Sequence, residues 1–123
     1  MIGYVTIGTN DHQRAGEFYD AVLAILGASR AFEAENFIAW SLKSDGPKVC
    51  LTKPYDGNTA TVGNGMMIGL TAQSADMVDA VHRKALELGA KDKGAPGPRG
   101  GGRYYIGYFR DLDGNKLCAI HFE

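Results

Sequence analysis

Two six-residue stretches nearly repeat each other. Asp45 to Cys50 reads DGPKVC, and Asp113 to Cys118 reads DGNKLC. Each is a turn pair followed by a strand-like run, and each ends on one of only two cysteines. A second echo, Leu26-Gly27-Ala28 and Leu88-Gly89-Ala90, closes two helix-like runs. Gly27 and Gly89 are 62 positions apart, and Cys50 and Cys118 are 68 apart. The extra six residues fit the Gly/Pro-rich stretch from Gly94 to Gly102. A duplicated plan constrains the fold more than any composition figure, because matching positions in the two halves are expected to face a shared hollow.

The local signals fill in that plan. Gly3 to Gly8 alternates as a strand. Asn10, with Gln13 three residues on, reads as a helix cap. Ala15, Phe18, Tyr19, Val22, Leu23 and Leu26 then follow the spacing of one helical face. Strands are expected over Ala28 to Phe32, Phe37 to Leu42 and Lys48 to Lys53. Lys53 to Asn58 breaks the pattern and reads as a connector. The second half repeats this: a strand from Met66 to Ala72, a helix capped by Ser74 and ended by Gly89, and a short strand near Ala90-Lys91. A long loop from Gly94 to Gly102 follows, then a hairpin of Tyr104 to Arg110 with Lys116 to Phe122. The predicted fold is α+β, two βαβββ modules (about 1–54 and about 65–123) within one 123-residue domain. Their mainly antiparallel sheets are expected to curl around a concave pocket.

Apolar residues make up 45% and charged residues 22%, as in ordinary globular chains. The net charge of -1 gives no general pull toward nucleic acid or a membrane surface. No apolar run approaches the ~18 residues of a membrane span. Two cysteines do not make a disulfide scaffold, and the first residues lack a signal-peptide pattern, so a cytoplasmic protein with reduced thiols is expected. Five basic residues and one acid fall between Lys91 and Arg110, overlapping the Gly/Pro stretch.

The run Arg14 to Asp20, the start Gly3 to Ile7, and Tyr108 to Asn115 together resemble the vicinal oxygen chelate superfamily of glyoxalase I, bleomycin-resistance proteins and extradiol dioxygenases. Leu112 stands where its terminal hairpin usually has proline. Metal-using members place His, Gln or Glu on the inner faces of the first and last strands of each module. The matching positions here are Tyr4, Met67, Cys50 and Cys118. The resemblance therefore implies a member without the usual ligands for a divalent metal, and no cofactor is expected.

Several groups have competing readings. The cysteines form either a soft-metal or redox pair or plain strand filling, and the missing further ligands favour filling. His12, His82 and His121 are expected to face solvent, His121 by its strand parity to Cys118. Trp40 and Tyr4 read either as pocket walls or as simple core packing, and Tyr108, which shares a strand face with Tyr104 and Ile106, is a further ligand-binding candidate. Arg99 and Arg103 read as the grip of a mobile lid for a carboxylate or phosphate, or as solubilising charges. Lys53 reads as a reach toward an anionic ligand, or as part of a plain connector. The function this supports is binding of a small organic ligand, anionic or aromatic, through Tyr4, Trp40, Cys50, Lys53, Met67, Arg99, Arg103, Tyr108 and Cys118, in a homodimer as the resemblance implies. The alternative is a lyase or isomerase of the lactoylglutathione lyase type, with Tyr4 as acid/base group.

Overall fold

The computed structural model describes residues 1–123, which divide into two compact units, Met1–Val62 and Gly63–Glu123. Unit 1 contains β1 (Tyr4–Gly8), α1 (His12–Ile25), β2 (Ser29–Ala34), β3 (Phe37–Ser41) and β4 (Lys48–Thr52). Its sheet has the order β1-β4-β3-β2, with β1 and β4 parallel and the other pairs antiparallel. Unit 2 repeats the arrangement with β5 (Ile68–Thr71), α2 (Ala75–Glu87), β6 (Lys91–Arg99), β7 (Tyr104–Arg110) and β8 (Lys116–Phe122), in the order β5-β8-β7-β6. The two βαβββ modules are thus present. No helix is long and apolar enough to cross a membrane.

The LGA echo is a pair of identical helix stops. In unit 1, Gly27 has φ 89, its N–H donates to the Ala24 carbonyl, and the Ala28 N–H donates to Leu23. In unit 2, Gly89 has φ 105, its N–H donates to Leu86, and Ala90 donates to Ala85. This double bond pattern needs a left-handed residue, which glycine supplies without steric cost.

The apolar face of α1 buries Ala15, Phe18, Tyr19, Val22 and Leu23 against the sheet. Facing it are Ile7, Ile38, Trp40 and Leu51, all 3% exposed or less. Because side chains alternate along strands, Tyr4, Thr6, Gly8, Phe37, Ala39, Cys50 and Thr52 lie on the opposite face. That face carries the site described below. In unit 2, α2 covers Leu70, Phe109, Leu117 and Ala119. The other sheet face carries Gly69, Thr71, Ile106, Tyr108, Cys118 and Ile120.

Two expectations need correction. The cap of α1 is Asp11, whose Oδ1 accepts from the Arg14 N–H at 3.1 Å. Thr9, Asn10 and Asp11 are all competent caps, and the spacing to Gln13 favoured the wrong one. The second concerns Gly94 to Gly102. Most of this stretch is the nine-residue edge strand β6, paired to β7 through Arg99↔Tyr104 and interrupted by irregularities near Gly94. An edge strand needs ladder hydrogen bonds on one side only, so it tolerates Pro96 and Pro98. Only Gly100 to Arg103 remain as a turn, with Gly100, Gly101 and Gly102 all at positive φ.

Candidate functional site

Beyond β4 the chain does not leave unit 1. Pro54 to Thr61 continues beside the free face of the sheet and walls a hollow of about 930 Å³. Tyr4, Thr6 and Gly8 from β1, Phe37 from β3 and Thr52 from β4 line its sheet side. Lys53, Tyr55, Asp56 and Thr59 to Thr61 line the other. The mixture of aromatic rings, hydroxyls, a carboxamide, one amine and one carboxylate is that of a small-molecule site, and the volume is in the range such sites occupy.

A two-bond clip holds this strap in place. The Asn10 carboxamide donates through Nδ2 to the Ala60 carbonyl at 3.1 Å and accepts through Oδ1 from the Ala60 N–H at 2.7 Å. One side chain thereby satisfies both backbone groups of Ala60, as a neighbouring strand would. The approach is close: a Cβ added at Gly8 would lie 3.2 Å from the Ala60 Cβ. Asp56 Oδ1 accepts from the Asn58 N–H at 2.9 Å, a turn that shapes the strap's outer bend.

The expected site residues are distributed over both units. Tyr4 and Lys53 both line the hollow. Cys50 lies on the same sheet face, paired with Thr6 and Ala39, but it is 2% exposed and does not reach the hollow's surface. In unit 2, Tyr108 and Cys118 are direct cross-strand partners on the free face, with the Lys116 ammonium 5.5 Å from the Tyr108 ring centre. Met67 stands just before β5 and is 44% exposed.

Trp40 is not a pocket wall. Its parity in β3 turns it toward α1, where it packs on Tyr19 with ring centres 5.8 Å apart. Its indole N–H donates to Asp20 at 2.9 Å. Asp20 also accepts from Nε and Nη2 along one edge of the Arg30 guanidinium, each at 2.8 Å, and Arg30 lies over the Trp40 ring. Chiefly through Arg30, the Asp20 carboxyl is held below its ordinary value. This is a structural clamp between helix and sheet.

Arg99 and Arg103 bond within their own turn region. Arg99 donates to the carbonyls of Pro98 and Ala95, and Arg103 Nε donates to the Gly100 carbonyl at 2.8 Å. Both brace the turn they flank. The histidines also differ from expectation. His82 is 5% exposed, with Nε2 3.2 Å from Asp92 Oδ1 and 3.1 Å from the Tyr108 carbonyl. His121 does point away from the Cys118 face, but its Nδ1 lies 3.0 Å from the Ala72 carbonyl and it is only partly exposed. An imidazole on a helix looks solvated in sequence unless its helical phase is matched to the sheet; Val78, Val81 and Ala85 share the buried face with His82.

The donors at the superfamily's metal positions do not suit a hard divalent ion. They are the phenol of Tyr4, the thioether of Met67 and two buried thiols whose pKa values burial pushes up, Lys48 and Lys116 offsetting this in part. Sulfur donors are soft, whereas a hard divalent ion takes oxygen ligands. No three His, Cys, Asp or Glu side chains come together as a metal-sized group anywhere in the chain.

The residues that sequence reasoning missed are Thr6, Phe37, Thr52, Tyr55 and Asn10. Strict alternation through Tyr4-Thr6-Gly8 was the available signal for Thr6. Nothing local marks Asn10, whose partner is fifty residues away.

Comparison with known proteins agrees with this architecture. The family model described as Glyoxalase/Bleomycin resistance protein/Dioxygenase superfamily matches residues 1–119. A glyoxalase/bleomycin resistance protein from Albidiferax ferrireducens is 35% identical, with a TM-score of 0.92 over 100% of this chain and 99% of that one. A glyoxalase/bleomycin resistance protein/dioxygenase family enzyme from Burkholderia phytofirmans shares the fold at 16% identity, TM-score 0.75, covering 98% of each chain. A superfamily member from Sphaerobacter thermophilus does so at 21% identity, TM-score 0.68, over 98% of this chain and 96% of that one. No curated protein matches. With the duplicated βαβββ plan and the family match over nearly its whole length, the chain belongs to the glyoxalase/bleomycin resistance protein/dioxygenase superfamily.

Proposed function

We propose that this protein binds a small organic ligand in the hollow of unit 1, without a divalent metal. The observation that carries the reading is the lining itself: Tyr4, Phe37 and Tyr55 supply aromatic surface, and Thr6, Thr52 and Lys53 supply polar groups. The donors at the superfamily's metal positions point the same way, toward sequestration rather than metal-assisted chemistry. Bleomycin-resistance proteins are the superfamily's precedent for such a role. The resemblance also supports a cytoplasmic homodimer, for which light scattering on the purified 13.2 kDa chain should give twice that mass.

The test is ligand-observed saturation-transfer NMR with a mixture of aromatic fragments. Fragments should bind the wild-type chain, binding should survive chelator treatment, and Phe37→Ala should weaken it at least fivefold. Binding that vanished on chelation and returned with Ni²⁺ or Zn²⁺ would overturn the metal-free reading. A full fragment mixture with no binder would overturn the site.

A further inference from the structure

A second hollow of about 460 Å³ adjoins the first. It is lined by Thr9, Asn10, Lys53, Pro54, Gly57, Asn58 and Thr59. Lys53, Pro54 and Thr59 belong to both linings, so the strap's first residues form the wall between them. The chemistry of the two compartments differs. The larger has three aromatic rings. The smaller has no aromatic ring and no carboxylate; apart from the Pro54 ring, its side chains are hydroxyls, carboxamides and the Lys53 ammonium.

Lys53 is also uncommitted. The ion pairs of the chain engage Arg30, His82, Lys84 and His121, and none engages Lys53. Its backbone is fixed instead, the N–H donating to the Asn36 carbonyl at 3.2 Å. The one acid in the larger hollow, Asp56, has Oδ1 turned into its own loop toward the Asn58 N–H. An ammonium on a fixed backbone, between an aromatic compartment and a polar one without acids, suits a ligand with two dissimilar ends.

We infer that the ligand is an aromatic monoanion whose ring lies against Tyr4 and Phe37 and whose carboxylate or similar oxyanion meets Lys53 at the mouth of the smaller hollow. This rests on the unit 1 hollow being the binding site. Lys53 then sets specificity for charge, and Asn10 is a positioning residue that acts through the strap. The inference distinguishes a carboxylate from a neutral ring of the same size, which the proposed function alone does not.

Titration of the full chain with benzoate, benzyl alcohol and inorganic phosphate, followed by amide NMR, tests it. Benzoate should bind about five- to tenfold more tightly than benzyl alcohol, as one partly solvated charge-assisted contact allows. It alone should shift the amides of Thr9, Asn58 and Thr59. Lys53→Gln should erase the preference, bringing benzoate affinity down to that of benzyl alcohol in the same variant. Equal binding of both rings in the larger hollow, or a preference that survives Lys53→Gln, overturns this inference and leaves the binding site standing. Phosphate binding as tightly as benzoate removes the aromatic half of the ligand and overturns it too. Failure of all three probes to bind overturns both readings.

Discussion

The two units share a topology and a helix stop, but they fasten helix to sheet with different chemistry. In unit 1 a carboxylate on α1 gathers an indole and a guanidinium from β2 and β3. In unit 2 both polarities occur: α2 contributes the His82 imidazole to Asp92 and the Tyr108 carbonyl, and its Asp79 carboxylate accepts from the Tyr105 hydroxyl at 2.7 Å. The free faces diverge as well. Unit 1 runs a clipped strap beside its face and encloses a hollow. Unit 2 sets a cation over a tyrosine on the matching face. Duplication preserved what the backbone requires, namely register, capping and helix termination. Side chains were free to change wherever more than one solution buries the same surface.

The comparison is broken most severely by removing the large buried ring of each unit. Trp40→Ala and Phe109→Ala should each cost about 3–5 kcal/mol in urea unfolding, since both rings are almost fully buried. Trp40→Phe keeps most of the volume while removing the bond to Asp20, and should cost less than Trp40→Ala. Asp20→Ala should cost about 1–2 kcal/mol, mostly by leaving the buried indole N–H without an acceptor, because the ion pair with Arg30 is partly solvated. Asp20→Asn should recover part of that loss. A cost for Asp20→Ala indistinguishable from that of an exposed control would show that the clamp is ornamental.

The pH dependence should be shared at both extremes despite the different clamps. Asp20 is held low chiefly by Arg30, and Asp92 chiefly by the Gly94 N–H. A carboxyl with a depressed folded-state pKa stabilises the fold above its unfolded value of 3.8, and that contribution is lost as the pH falls through the folded value. Thermal stability should therefore drop below about pH 4, less steeply in Asp20→Asn and Asp92→Asn. At the other extreme, Tyr105 is held high by its bond to Asp79, and both thiols by burial. Groups raised in this way stabilise the fold below their unfolded values and cease to do so as the pH rises through the folded ones. A second decline is expected above about pH 9.

The order of elements was legible in the sequence because each depended on local chemistry. The turn pairs Asp45-Gly46 and Asp113-Gly114, the glycines at 27 and 89 and the spacing of Phe18, Tyr19, Val22 and Leu23 all act within a few residues. The misreadings required information from elsewhere in the chain. Trp40 looked like a pocket wall because its strand was clear but its face was not; only its pairing with Val49 settles which side it occupies. Pro96 and Pro98 suggested a loop because composition does not reveal that a strand lies at a sheet edge. Asn10 looked like a cap because its partner, Ala60, lies across the sheet end.

The smallest expected effect concerns that clip. Asn10→Ala should leave the helix intact, since Asp11 is the cap, and should lower stability by about 1 kcal/mol or less. It should nevertheless shift the amide resonances of Pro54's neighbours, Lys53 and Tyr55, and weaken ligand binding more than it lowers stability. Asn10→Asp restores only the acceptor half of the pair and should recover only part of the binding.

Occupancy of the free face of unit 1 by a ligand is tested most directly by chemical-shift mapping with a bound aromatic fragment. The amides of Thr6, Phe37, Thr52 and Lys53 should move together, while the Trp40 indole N–H, turned to the other side of the sheet and bonded to Asp20, stays still. Shifts centred on the Trp40 indole and α1, with the hollow's residues unmoved, would contradict it.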